Sequence, residues 1–166
     1  AFLERLRGKW PGKLIVKGVT SAADALRIRS LGADAIYVSN HGGRQLDSVP
    51  PAIRLLPLIR AAVGPEFPLL FDSGIRNGED IIKALALGAD FVMIGRPALF
   101  ALGAEGAAGL NALLSCFATD ISVVMAQLGI TSIDQLGPDV IFQDASHAHV
   151  DAETKTQAAL RLAAKT

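Results

Sequence analysis

Short apolar, β-branched runs recur at 14–17, 35–39, 69–72 and 91–94, and each gives way to a stretch with helical spacing, at 21–31, 52–63, 78–87 and 106–128. Runs of this length without polar alternation predict strands buried on both faces, the habit of parallel sheets. Ser21 is placed to cap the first of these helices, with Asp24 three residues on as a short form of the capping box. Gly32 and Gly88 stand just past helix ends, where a left-handed cap favours glycine. Residues 130–136 predict a short helix opened by Thr131 or Ser132. Residues 151–165 predict a terminal helix with an Ala/Leu face.

The pattern is doubled. Leu31-Gly32-Ala33-Asp34 returns as Leu87-Gly88-Ala89-Asp90, and the flanking strands and helices return in register with it. The period is too long for a solenoid repeat and suits two βαβα units. Strand-helix alternation with right-handed crossovers is an α/β architecture. A closed TIM (β/α)8 barrel needs eight such units and about 250 residues; four units supply about half of one. Alone, the sheet would leave open edges and an unfilled interior. Residues 1–142 are therefore expected to be half of a barrel, separated from the other half by truncation or cleavage, and 143–166 a polar tail, partly helical.

Composition narrows the function. The chain has 166 residues, 51% hydrophobic and 19% charged, with 16 basic and 16 acidic side chains. That is a globular composition. The balanced charge gives no basic excess to neutralise phosphates, so nucleic acid is not the expected partner. No uncharged apolar run reaches the length of a membrane span, and the amphipathic start does not read as a signal peptide. The single cysteine, Cys116, sits in an apolar helical stretch and reads as a small buried hydrophobe in a reducing, cytoplasmic compartment. Asp144, His147, His149 and Asp151 resemble a metal set but lie in the polar tail without a scaffold, so no metal site is expected.

In such a barrel the chemistry gathers at the carboxyl ends of the strands. The third and fourth strands end in Asp72-Ser73-Gly74-Ile75-Arg76 and Gly95-Arg96-Pro97. Glycines let backbone N–H groups approach an anion, and arginine adds a two-pronged fork. Two such loops at successive strand ends point to a phosphate. The second strand ends at Ser39-Asn40-His41-Gly42-Gly43-Arg44-Gln45-Leu46-Asp47. There His41 suits a general base and Arg44 a carboxylate clamp, a pairing fitted to a 2-hydroxy or 2-amino acid; a loop histidine beside a solvated arginine is the bland alternative. Lys17 either faces the barrel mouth, where it would stabilise an anion, or snorkels outward.

These segments, with Trp10-Pro11-Gly12 and Val16-Lys17-Gly18, resemble the FMN-dependent L-2-hydroxy acid oxidases and dehydrogenases (glycolate oxidase, lactate oxidase and dehydrogenase, mandelate dehydrogenase, flavocytochrome b2). The resemblance covers about residues 1–142 and corresponds to strands five to eight of the barrel. It implies the following roles. Lys17 sits at the N1/O2 edge of the flavin and Ser39 also contacts FMN. His41 accepts the proton, and Arg44 binds the substrate carboxylate. Asp72, Ser73, Gly74, Ile75 and Arg76 hold the ribityl chain and phosphate, and Gly95 and Arg96 complete the phosphate site. Ser73 replaces the commonest glycine, as in lactate-acting members, which favours lactate. The resemblance also implies a tetramer and, for lactate dehydrogenases, a place at the inner membrane. The amino-terminal half, a required partner, supplies the tyrosines and the carboxylate that orients the base. The 166 residues alone are then expected to turn over little. Proton removal from the hydroxyl with hydride transfer, and removal of the Cα proton, are both open routes to the 2-keto acid; the electron acceptor is not set by these motifs. Two rival readings stand beside this one: an isolated half-barrel that binds phosphate, flavin or its partner half without turnover, and another FMN- or phosphate-binding barrel such as an isomerase or a nucleotide dehydrogenase. The His41–Arg44 pair separates the first reading from the last.

Overall fold

The computed structural model describes residues 2–142; the terminal helix expected at 151–165 and the Asp144–Asp151 cluster lie outside them. Helix α1 (Phe2–Lys9) leads into β1 (Ile15–Val19), α2 (Ala22–Ser30) and β2 (Ala35–Val38). A second round follows as α3 (Ala52–Val63), β3 (Leu69–Phe71), α4 (Gly78–Ala86), β4 (Phe91–Val92) and α5 (Arg96–Leu128). The four strands form one parallel sheet in the order β1-β2-β3-β4. Every strand neighbours the next in sequence, as in a barrel wall.

The two faces of the sheet differ. Ile36, Val38, Leu69 and Phe71 are fully buried with Leu56, Ile59 and Val63 of α3, and this is the core. The opposite face, reached by alternation along each strand, carries Ile15, Lys17, Tyr37, Leu70 and Phe91. Here Ile15 and Phe91 stay 49% and 60% exposed. One face is finished and the other is a barrel interior laid open.

The sequence repeat has a structural counterpart at the amino ends of the strands. Asp34 accepts from the Leu14 amide at 2.9 Å and pairs with Arg7 at 3.0 Å. Asp90 accepts from the Leu69 amide at 2.7 Å and pairs with Arg60 at 2.6 Å. Each arginine also reaches the carbonyl of the helix-ending glycine, Gly32 or Gly88, both at positive φ. The repeated Leu-Gly-Ala-Asp is thus a staple joining the preceding helix, a helix end and a strand start. Ser21 caps α2 through the Asp24 amide, and Ser132 opens a 3₁₀ turn at Ile133–Gln135 with a full capping box, where a short helix was expected.

Helix α5 departs from expectation in three ways. It begins at Arg96, directly after the fourth strand's loop, because Pro97 is tolerated in a first turn; it then bends at Glu105 and Gly106, so the expected 106–128 is its second limb. Secondly, it is long and apolar enough to cross a membrane by length and composition, since Glu105 and Asp120 are its only charges after Arg96. In this fold, however, its second limb packs on α4. A Cβ on Gly78 would stand 2.5 Å from the Phe117 carbonyl, and the Gly78 amide donates to Asp120 at 3.1 Å. Thirdly, Cys116 is exposed, not buried. Phe117 takes the buried stripe facing α4, and a neighbour one residue away is turned about 100° from it.

Candidate active site

The carboxyl ends of β2, β3 and β4 meet in an open cleft of about 180 Å³. It is lined by His41, Gly42 and Arg44 from the second strand's loop, by residues 72–76 from the third, and by Gly95, Arg96 and Pro97 from the fourth. The site residues expected from these three loops are brought together. Lys17 and Ser39 do not line the cleft; they join it through bonds to its wall.

The His41 loop is a tight turn held by side chains. Asn40 Oδ1 accepts from the Gly42 amide at 3.1 Å, and Ser39 Oγ accepts from the His41 amide at 3.1 Å. His41, Gly42 and Gly43 have φ of 57°, 65° and 79°, a left-handed run that costs a non-glycine residue about 1–2 kcal/mol. That strain sits on His41, and the turn brings its imidazole against β1 at Gly18. A Cβ on Gly18 would stand 2.7 Å from His41 Nε2, so any side chain there displaces the ring. Gly18 itself lies at φ 88°, in a break of the β1–β2 register. Its part went unread in the sequence, though a glycine at a strand's carboxyl end was the available signal.

Ser73 is the second non-glycine residue at positive φ among the described residues, at 85°. Its hydroxyl donates to Asp72 Oδ1 at 2.8 Å and accepts from the amides of Asn40 and Gly42 at 3.3 and 3.2 Å. A glycine there would remove the strain and with it the fastening between two loops.

Beside it, Lys17 Nζ donates to Asp72 Oδ2 at 2.7 Å and to Ser39 Oγ at 3.0 Å. So Lys17 points along the inner face rather than snorkelling away. Burial works to raise the Asp72 carboxyl, but hydrogen bonds from Lys17, Ser39, Ser73 and Tyr37 outweigh it and hold the group below its ordinary value. Among the described residues, Arg44, Arg76 and Arg96 have no carboxylate partner, which leaves their guanidinium groups available to an anion.

A flavin phosphate suits this donor set. A Cβ on Gly74 or Gly95 would meet nothing within 4 Å, so both backbones face open space. The first turn of α5 brings N–H groups and the positive end of a helix dipole to the same place. Arg76 and Arg96 line it.

The chain belongs to the FMN-dependent dehydrogenase family, whose pattern matches residues 1–143. It is 46% identical over 84% of its length to an L-lactate dehydrogenase of Pseudomonas syringae pv. syringae (strain B728a), of which it covers 37%. It is 47% identical over 82% of its length to an L-lactate dehydrogenase of Allorhizobium ampelinum, of which it covers 36%. Among solved structures, it superposes on the monotopic membrane protein (S)-mandelate dehydrogenase with a TM-score of 0.82, at 45% identity, over 86% of this chain and 38% of that one. A soluble mutant of the membrane-associated (S)-mandelate dehydrogenase from Pseudomonas putida gives a TM-score of 0.79 at 47% identity, over 82% of this chain and 39% of that one. The chain thus spans less than two fifths of each of these four relatives, and its four βα units are part of a (β/α)8 barrel.

Proposed function

We propose that this chain carries the cofactor grip, the base and the carboxylate clamp of an FMN-dependent L-2-hydroxy acid oxidoreductase. The observation that carries the reading is the single cleft in which His41 and Arg44 face two glycine-arginine loops. Arg76, Arg96, Gly74 and Gly95 hold the phosphate, and Lys17 sets a positive charge at the edge of the ring. FMN, when bound, would supply the oxidant, taking up two electrons and one of the two protons that the substrate loses. Arg44 fixes the substrate carboxylate by two parallel hydrogen bonds, and His41 takes a proton from the bound acid as it becomes a 2-keto acid. The names of the lactate dehydrogenases above, together with Ser73, favour lactate as the acid.

Residues 1–142 form the barrel part. Turnover requires the amino-terminal half of the barrel, which covers the open inner face and orients His41. The assembled protein is a homo-oligomer, cytoplasmic and peripheral to the membrane, in keeping with relatives described as monotopic or membrane-associated.

Anaerobic addition of L-lactate to the assembled, FMN-loaded protein tests this. The flavin band bleaches with L-lactate and not with propane-1,2-diol, which lacks the carboxylate. In Arg44→Lys the lactate concentration needed rises steeply while FMN affinity holds, because an ammonium cannot reproduce the planar fork. Bleaching by both compounds removes Arg44 from the clamp, and bleaching by neither removes the 2-hydroxy acid reading.

A further inference from the structure

Tyr37 is the only tyrosine in the chain, and the roles assigned so far leave it unused. The β1–β2 register sets Lys17 opposite Tyr37, and the β2–β3 register sets Tyr37 opposite Leu70, so lysine and tyrosine share the inner face. Lys17 Nζ lies 3.9 Å from the centroid of the Tyr37 ring. The Tyr37 hydroxyl donates to Asp72 Oδ2 at 2.9 Å, the same oxygen that accepts from Lys17.

We propose that Tyr37 is a positioning residue for Lys17, holding its ammonium aimed at the anionic edge of the flavin. The argument rests on the reading of Lys17 given under the proposed function.

A lysine stem is flexible and loses rotamer entropy when fixed. Asp72 and Ser39 alone could fix it, but a carboxylate that takes the whole ion pair would also neutralise the charge an incoming anion needs. Tyr37 changes that balance in two ways. Its ring attracts the ammonium through its quadrupole, without a negative charge of its own. Its hydroxyl shares Asp72 Oδ2, so that oxygen's capacity is divided between two donors. Burial first, and then the bond to and the charge of Asp72, raise the phenol above its ordinary value, so it stays the donor. An aliphatic side chain at this strand position would supply neither contact.

The test compares wild type, Tyr37→Phe, Tyr37→Leu and Lys17→Met. In the 166-residue chain with ¹³C-labelled lysine, NMR reads whether the Lys17 ε-methylene is shifted upfield by the ring. The shift is present in wild type, retained in Tyr37→Phe and lost in Tyr37→Leu. With FMN loaded, the flavin midpoint potential falls most in Lys17→Met. It falls by an intermediate amount in Tyr37→Leu and by the least in Tyr37→Phe. Tyr37→Phe keeps the ring's volume and carries the test if Tyr37→Leu does not fold. Absence of the upfield shift in wild type overturns the inference without any flavin present. A potential that moves in Lys17→Met but in neither tyrosine variant overturns it while leaving the role of Lys17 standing. A potential unmoved in Lys17→Met overturns both.

Discussion

The two ends of the strands are built by opposite rules. At the amino ends, Arg7–Asp34 and Arg60–Asp90 close the backbone twice over with the same staple, and helix ends, strand starts and side chains satisfy one another. At the carboxyl ends, two non-glycine residues, His41 and Ser73, sit in left-handed conformations, and three arginines line a cleft with no carboxylate partner among the described residues. Repetition at one end marks what holds the fold, while divergence at the other marks what was fitted to a ligand. Strain that persists in a well-braced loop is a common sign of a functional site.

This contrast can be broken from either end. The largest expected effect lies at the carboxyl end. His41→Ala lowers the rate of flavin reduction by L-lactate in the assembled protein by on the order of 10³-fold, with FMN affinity and thermal stability unchanged; stopped-flow reduction measures it. Gly18→Ala comes next. It forces a Cβ into the 2.7 Å gap beside His41 Nε2 at φ 88°, and the displaced ring costs roughly 10²-fold in the same rate. Asp90→Ala acts at the other end. Losing its bonds to the Leu69 amide and Arg60 lowers stability by about 1–2 kcal/mol in urea unfolding, with FMN affinity unchanged. A loss of FMN affinity comparable to the loss of stability would erase the distinction between the two ends.

The smallest effect is one of pH. Hydrogen bonding from the Leu14 amide and Lys13 chiefly lowers the Asp34 carboxyl to about 2 in the folded chain. Because the folded value lies below that of the unfolded chain, near 4, its contribution is complete above about pH 4 and fades as the pH falls toward 2. Asp34→Asn therefore flattens the acid limb of the stability profile over that window. An unchanged limb would show that the staple does not act through the charge.

Much of this was legible from the sequence because the barrel writes strands and helices as separate patterns. The apolar runs located every strand, and the repeat showed which elements correspond. The loops were legible because glycine, histidine and arginine are rare company at a strand end. Other features were hidden for physical reasons. The helical spacing picks out only 106–128 of α5, since a glycine and a proline flanking Arg96 look like a turn until Pro97 is seen in a first helical turn. Cys116 was misplaced because α5 is apolar all round and only packing on α4 selects its buried stripe. Nothing in the sequence pairs Tyr37 with Lys17, and only the strand register reveals that it lies beside it. The repeated aspartate announced the repeat but not its bonds, which join residues 20 or more positions apart.

The central claim is that the cleft between the third and fourth strand ends grips a flavin phosphate. Titrating the chain with FMN and, separately, with riboflavin tests it most directly, read by quenching of flavin fluorescence. The two ligands share a ring and differ by the phosphate. The account predicts that FMN binds tighter by at least roughly 10²-fold, as expected for charge-assisted bonds from two arginines and a helix terminus, and that Arg96→Ala removes most of the difference. Equal affinity for the two, or no quenching by either, would contradict it.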